Sequence, residues 1–117
     1  MARAIKAKDP RRRRLIRSLT KTKRKFWRNV SEFLEKSRKN RVIVNLGKID
    51  AFTENNDTVL IPGKVLSSGS LTHSVIIAAF AYSTKAKKQI IKAGGEYVFI
   101  EELIKRNPTG SKVKILT

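Results

Sequence analysis

The stretch Val75-Ile-Ile-Ala-Ala-Phe-Ala81 decides the fold, because it is apolar at every position. A strand with one face in water alternates apolar and polar residues, so this run indicates a strand covered on both faces. A helix is predicted next: Ser83 or Thr84 can cap its first turn, and Gly94-Gly95 can supply the left-handed residue that ends it. Tyr97–Ile100 predicts another strand. Together these residues predict a strand–helix–strand unit with a central, buried strand.

The sequence on either side of this unit predicts further short elements. They are a strand at Arg41–Leu46, a helical turn at Lys48–Thr53, a turn at Asn55–Asp57, a strand at Thr58–Ile61 that resumes at Lys64–Leu66, a helix opened by Glu101 and Glu102 and closed by Lys105 and Arg106, and a strand at Val113–Leu116. Pro62-Gly63 is expected to interrupt the second strand, because proline cannot donate to a strand ladder. This alternation without long loops favours a small layered α/β domain over residues 42–117.

The positive charge of the chain is concentrated at its beginning. The chain carries 27 Lys and Arg residues against nine Asp and Glu, a formal net charge of +18. Seventeen of the basic residues and three of the acids fall within residues 1–41, which gives this segment a net charge of +14 and leaves +4 for the rest. Such a charge density repels itself in a compact state unless an anion neutralises it. We therefore interpret residues 1–41 as a basic extension whose partner is a phosphate backbone.

Apolar periodicity predicts that this extension is helical. Asp9-Pro10 resembles a helix start, so helices are expected over residues 10–22 and 26–38 with a break at 21–25, whereas residues 1–9 could instead be a disordered tail. Four consecutive arginines, Arg11 to Arg14, point in every direction from a helix. This placement favours a helix with anion on several sides, as in a crevice of folded RNA, over a membrane-surface helix, whose cations share one face.

Two aromatic residues, Phe26 and Trp27, lie among the basic residues of the second predicted helix. Side chains of this kind can stack on unpaired bases. Trp27, however, begins an apolar face that continues with Val30 and Leu34, so we favour packing in the core.

The residue types that catalysis and metal binding require are scarce. Without cysteine, the chain has no disulfide, thiolate zinc ligand or cysteine nucleophile. His73 is the sole histidine, Asp50 and Asp57 flank a predicted turn, and Glu101-Glu102 open a helix, so each has a structural explanation. We therefore expect neither an enzyme nor a cofactor or metal. No apolar run approaches the ~20 residues of a membrane span.

The stretch Pro62-Gly-Lys-Val-Leu-Ser-Ser-Gly-Ser-Leu71 combines glycine, serine and one lysine. Backbone N–H groups of such residues can approach an anion closely. It is not a nucleotide-binding P-loop, because Gly63 and Lys64 precede the serines and the Gly-Lys-Ser/Thr ending is missing. The stretch is either a plain connection between strands or a loop that contacts RNA phosphates, and the net charge favours the second.

This stretch is similar to the signature of a known family, the archaeal and eukaryotic large-subunit ribosomal proteins called eighteen-e. Three further segments resemble the family in the same order: Asn45-Leu-Gly-Lys-Ile-Asp50, Phe80 through Ala93-Gly94-Gly95, and Glu101-Glu-Leu-Ile104 with Asn107-Pro108-x-Gly110. The second of these is also similar to bacterial large-subunit protein fifteen. The resemblance covers nearly the whole chain from about Pro10, and the compact length is typical of archaeal members.

The resemblance implies a non-catalytic protein of the cytoplasmic large ribosomal subunit, with an α/β domain of irregular β-β-α superhelical type behind the basic helical segment. Its implied partners are large-subunit ribosomal RNA and neighbouring ribosomal proteins, with no membrane and no small-molecule substrate. The alternative from another class is a nonspecific, DNA-compacting protein. The predicted RNA contacts are Arg11, Arg12, Arg13, Arg14, Arg17, Lys21, Lys23, Arg24, Lys25, Arg28, Arg38, Lys39, Arg41, Lys64, Ser67, Ser68, Gly69 and Ser70.

Overall fold

The computed structural model of the chain describes residues 8–117, so most of the predicted tail at residues 1–9 lies outside the described residues. The chain divides into two compact units, residues 1–41 and 42–117. The first contains α1 (Pro10–Lys21), α2 (Lys25–Leu34) and a single 3₁₀ turn (Arg38–Asn40). The second contains β1 (Val42–Asn45), α3 (Leu46–Phe52), β2 (Thr58–Leu66), β3 (Ile76–Tyr82), α4 (Thr84–Lys92), β4 (Glu96–Phe99), α5 (Ile100–Arg106) and β5 (Val113–Ile115). The predicted α/β class is confirmed.

The first unit is built from the two predicted helices. Asp9 caps α1, because its carboxylate accepts a hydrogen bond from the backbone N–H of Arg11 at 3.0 Å. The predicted break is confirmed at Lys23, which has the positive φ of 58°. The prediction for the second helix was too long: α2 ends at Leu34 and not at residue 38. Residues 35–40 offer no apolar side chain to bury, so packing does not extend the helix further.

The second unit is organised around β2, the longest strand. All strand pairs are parallel, in the order β1-β2-β3-β4, and β5 also pairs with β2. On one edge, β5 pairs with Thr58–Leu60 and β1 pairs with Gly63–Leu66. On the other edge, the pairing with β3 shifts register between Ile61 and Lys64. Pro62 thus lies at a position where neither neighbouring strand needs a hydrogen bond from the N–H group that proline lacks.

The predicted interruption of the strand at Pro62-Gly63 was therefore wrong. The chain stays extended through both residues, and only the ladder is irregular. Gly63 has its own reason to be small, because a Cβ at this position would collide with the carbonyl oxygen of Val42 in β1. The same two residues that suggested a break allow β2 to serve two partners on one edge.

Helices cover both faces of the sheet. One face packs against α3 and α4, in a core that includes Ile49, Ile61, Ile77 and Ile90, each fully buried. On the opposite face α5 contacts β3 and β4. The buried strand β3 at the centre confirms the prediction made from Val75–Ala81.

The helix boundaries follow local signals in most places. Ser83 caps α4 by accepting a hydrogen bond from Ala86 N–H at 3.1 Å, and Gly94, at φ +84°, ends it as predicted. α3 is longer than the single predicted turn, since it begins at Leu46, whose side chain is fully buried beside Ile49.

Candidate nucleic-acid interface

The exposed side of α1 carries four of the fourteen predicted cations. With about 100° between successive residues, Arg13, Arg14, Arg17 and Lys21 fall within an arc of about 100°, and all four side chains are exposed. No acidic residue lies in the first turn of α1. The helix therefore presents a broad, uniformly cationic face, which we call the α1 cationic face.

Arg12 does not belong to this face. Its side chain is 6% exposed, and its guanidinium Nη1 donates a hydrogen bond to the carbonyl oxygen of Leu34 at 3.0 Å. It lies on the same side of α1 as the buried Leu15, Ile16 and Leu19. Burial lowers the pKa of Arg12, and the nearby charge of Arg41 adds to this effect.

The expectation that all four consecutive arginines would be open to anion was thus wrong for Arg12. The apolar side chains of Leu15, Ile16 and Leu19 determine which side of α1 is buried. Arg12 lies on that same side of the helix. The burial of its apolar side chains, and not an all-round placement of cations, distinguishes α1 from a membrane-surface helix. The cations do share one face, but Leu15, Ile16 and Leu19 are at most 2% exposed and present no free apolar face to a lipid.

The other predicted cations of the first unit are mostly open to solvent. Arg11 is half-buried, and Arg41 likewise; the exposed ones are Lys23, Arg24, Lys25, Arg28 and Lys39. Arg38 lies in the 3₁₀ turn, and its side chain is outside the described part of the structure. Trp27 is fully buried, with the Phe26 ring edge-on at a centroid distance of 4.8 Å. Core packing of Trp27 is confirmed, and in this structure its ring has no face open to a base.

In the second unit, the predicted site splits between a strand and a loop. Lys64 is exposed but belongs to β2, where it pairs with Ile43 of β1 and Ala81 of β3. The loop begins after Leu66: Ser67 is half-buried and Ser68, Gly69 and Ser70 are exposed. The strand predicted at Lys64–Leu66 is confirmed, so only the second half of the stretch Pro62–Leu71 is a loop.

This loop is held against the start of α3. The backbone N–H of Gly47 donates to the carbonyl oxygen of Ser68 at 2.9 Å. Gly69 has φ +83°, and a Cβ there would come within 2.6 Å of the Gly47 Cα. Gly69 is thus required by its backbone conformation and by direct backbone contact, and a Cβ at Gly47 would lie 3.3 Å from the Gly69 Cα. Ser68 is held in place through its carbonyl oxygen, and the side chains of Ser68 and Ser70 are exposed.

The far end of the same connection is held by a polar cluster that the sequence analysis missed. Asp50 accepts hydrogen bonds from both the N–H and the hydroxyl of Thr72 at 2.8 Å, and its carboxylate lies 3.2 Å from Nδ1 of His73. Nε2 of His73 is 2.9 Å from the hydroxyl of Thr53, which donates to the carbonyl of Ile49 at 2.6 Å. We call Asp50, Thr53, Thr72 and His73 the α3 clasp.

The clasp explains residues for which the sequence analysis gave only local reasons. Hydrogen bonds from the backbone and then the side chain of Thr72 lower the pKa of Asp50, so a partner 22 positions away defines its role. Thr53 is 8% exposed and hydrogen-bonded within its own helix, as a structural residue is. The arrangement fixes the β2–β3 connection and offers no free nucleophile.

Two open grooves flank the loop, and both are bordered by α4. One, of about 420 Å³, is lined by residues that include Ser67, Ser68 and Lys85. The other, of about 390 Å³, is lined by residues that include Ser70 and Lys92. Lys85 and Lys92 of α4 thus border the loop that the sequence predicts to contact RNA, although neither was among the predicted RNA contacts.

Within residues 8–117, no cluster of three or more His, Cys, Asp or Glu residues could hold a metal ion. Over the same residues, no helix is both long and apolar enough to cross a bilayer.

Comparison with known proteins gives a consistent result. The model of the family described as ribosomal protein 60S L18 and 50S L18e matches residues 3–117. Large ribosomal subunit protein eL18 of Pyrobaculum aerophilum is 44% identical over 108 residues, which cover 89% of this chain and 88% of that protein. The proteins of that name from Methanospirillum hungatei and Methanoregula boonei are 39% and 42% identical over 120 residues, 99% of each chain. The resemblance drawn from the motifs is confirmed, and the chain belongs to the family of ribosomal protein 60S L18 and 50S L18e.

Proposed function

We propose that this chain is a structural component of the large ribosomal subunit, where it binds large-subunit ribosomal RNA and stabilises its fold. The observation that carries the proposal is the α1 cationic face, in which Arg13, Arg14, Arg17 and Lys21 stand together without a carboxylate in the first turn. A surface of this kind attracts the phosphate backbone through counterion release. The names of its relatives support the choice of ribosomal RNA among polyanions.

The mechanism divides between the two units. The α1 cationic face neutralises phosphates, so that RNA segments which repel each other can come close. The serine loop at Ser67–Ser70, held by Gly47 and the α3 clasp, makes a second contact of defined shape. Folded RNA is recognised largely through phosphate, sugar and shape, for which a rigid loop and a dense charge are suited. This function uses no cofactor, small-molecule substrate or catalytic step.

The experiment that tests the proposal measures binding to an archaeal large-subunit ribosomal RNA transcript from about 50 to 500 mM salt. We expect the logarithm of the association constant to fall steeply and linearly with the logarithm of salt concentration, by ~0.7–0.9 per neutralised phosphate. A flat response would contradict the electrostatic mechanism.

A competition experiment separates this function from that of a DNA-compacting protein. Duplex DNA of equal phosphate concentration should compete poorly for the bound chain, whereas the unlabelled ribosomal RNA transcript should compete fully. Equal competition by DNA would favour the nonspecific alternative. Co-sedimentation of the chain with large subunits after a high-salt wash would test its place among neighbouring ribosomal proteins.

A further inference from the structure

Acidic side chains are unevenly distributed in the second unit. The segment from Thr58 to Gly95 contains five lysines and no aspartate or glutamate. The carboxylates that flank it are already held by basic residues: Asp57 by Lys114 at 2.9 Å, and Glu96 by Arg106 at 3.1 Å. The middle of the domain is therefore a cationic region without acidic residues of its own.

Three of these lysines form a stripe on α4. Lys85, Lys88 and Lys92 are exposed and fall within an arc of about 60° along a length of about 10 Å, given the geometry of an α-helix. Within the described residues none of the three forms an ion pair. The opposite side of α4 is fixed in the core by Ala86 and Ile90, both fully buried. The stripe thus has a fixed direction, outward from the sheet.

The stripe is continuous with the serine loop. Lys85 borders the groove that Ser67 and Ser68 line, and Lys92 borders the groove that Gly69 and Ser70 line. The loop therefore lies alongside α4, with a lysine near each of its ends. This arrangement of charges matches a linear polyanion that runs along α4, because the phosphates of a nucleic-acid backbone repeat at short intervals. The serine loop would contact the same stretch of backbone.

We propose that the lysine stripe of α4 and the loop Ser67–Ser70 form one surface that binds a single run of ribosomal RNA backbone. This inference rests on the proposed function and adds the lysine stripe to its loop contact, on a surface separate from the α1 cationic face. Lys87 stays outside the stripe, since its Nζ lies 5.8 Å from the ring centroid of Tyr97 on another side of the helix.

The test compares two variants of the full chain with equal loss of charge. One carries Lys85→Gln, Lys88→Gln and Lys92→Gln, and the control carries Lys48→Gln, Lys105→Gln and Lys112→Gln, which are exposed elsewhere in the same unit. At about 0.1 M salt we expect the stripe variant to bind the archaeal large-subunit ribosomal RNA transcript about 30-fold more weakly, with a salt slope lower by about 2. The control should lose less than about threefold.

Chemical acetylation of the unaltered chain gives a second readout that needs no substitution. Bound to the transcript, Lys85, Lys88 and Lys92 should be protected, while Lys105 and Lys112 stay reactive, as measured by mass spectrometry. Equal weakening by the two variants, or no protection of the stripe, would overturn the inference and leave the proposed function intact. Protection that appears only when other large-subunit proteins are added would overturn it in favour of an acidic protein partner. Failure of the unaltered chain to prefer ribosomal RNA over duplex DNA would remove the proposed function and this inference together.

Discussion

The two units of the chain display positive charge by different means. In the first unit, basic residues far outnumber acidic ones, and the α1 cationic face places several of them side by side. In the second unit the net charge is small, yet several carboxylates are held in local contacts such as the α3 clasp and the Asp57–Lys114 pair, and Lys85, Lys88 and Lys92 of α4 are exposed. In the proposed function, the first unit binds RNA through charge density, while the second binds it through the fixed position of a few charges.

The largest expected effect comes from a substitution that destabilises the second unit without changing its charge. In a Gly63→Ala variant the new Cβ collides with the carbonyl oxygen of Val42, a backbone atom that cannot move without loss of the β1–β2 ladder. We expect the free energy of unfolding in urea to fall by about 3 kcal/mol or more. A control, Gly94→Ala, places its Cβ in ordinary van der Waals contact with the Cβ of Ser74 at 3.8 Å but at φ +84°, and should cost about 1 kcal/mol. If the two variants lost equal free energy of unfolding, β1 and β2 would have to lie farther apart at Gly63 than they do in this structure.

The next largest effect is expected from substitutions that remove positive charge from α1 and leave the fold intact. Replacement of Arg13, Arg14, Arg17 and Lys21 by glutamine should weaken binding to the ribosomal RNA transcript about 100-fold at about 0.1 M salt, with the salt slope lower by about 3. Thermal unfolding of the free chain should change little or shift upward, because self-repulsion on α1 is relieved. A smaller loss of affinity than that of the α4 stripe variant would reverse the comparison between the units.

A smaller effect separates the two kinds of arginine on α1. Arg12→Ala removes the hydrogen bond to the Leu34 carbonyl and should lower the free energy of unfolding by about 2 kcal/mol. Arg13→Ala, an exposed neighbour, should leave stability within about 0.5 kcal/mol and reduce the salt slope of RNA binding instead. If both variants behaved alike in denaturation and in binding, Arg12 would have to be counted with the cationic face.

The smallest effect concerns pH and the α3 clasp. The folded-state pKa of Asp50 is lowered by the hydrogen bonds from Thr72, so the ionised carboxylate stabilises the fold above its unfolded pKa of about 3.9. This contribution is lost as pH falls through the lower folded-state pKa. Unfolding measured from about pH 6 to pH 2 should therefore depend less steeply on pH in Asp50→Asn than in the unaltered chain. The difference should shrink in a Thr72→Val background, since one donor is already missing.

Local sequence signals predicted the elements that local chemistry determines. Ser83 and Gly94 bound α4, Asp9 starts α1, and an unbroken apolar run marks β3. Each signal depends on a few neighbouring residues, so the sequence alone was sufficient.

The misses have the opposite character, because they depend on residues distant in sequence. Pro62 fits inside β2 only because β5 and β1 divide one edge of that strand, which no nearby residue reveals. Arg12 is buried because of the way α1 turns toward Leu34, 22 positions away. The same holds for the site: the lysines were visible in the sequence, but their nearness to the serine loop required the fold.

The shared edge of β2 also has a consequence for the order of events during synthesis. Every strand pair is parallel, so each contact of the sheet joins segments well separated in sequence, and β2 cannot complete its ladder until residues 113–115 have left the ribosome. Until then the N–H and C=O groups of Thr58–Leu60 on that side form an open edge. A nascent chain of this protein therefore passes through a stage in which its most central strand can pair wrongly, and the three residues of β5 end that exposure.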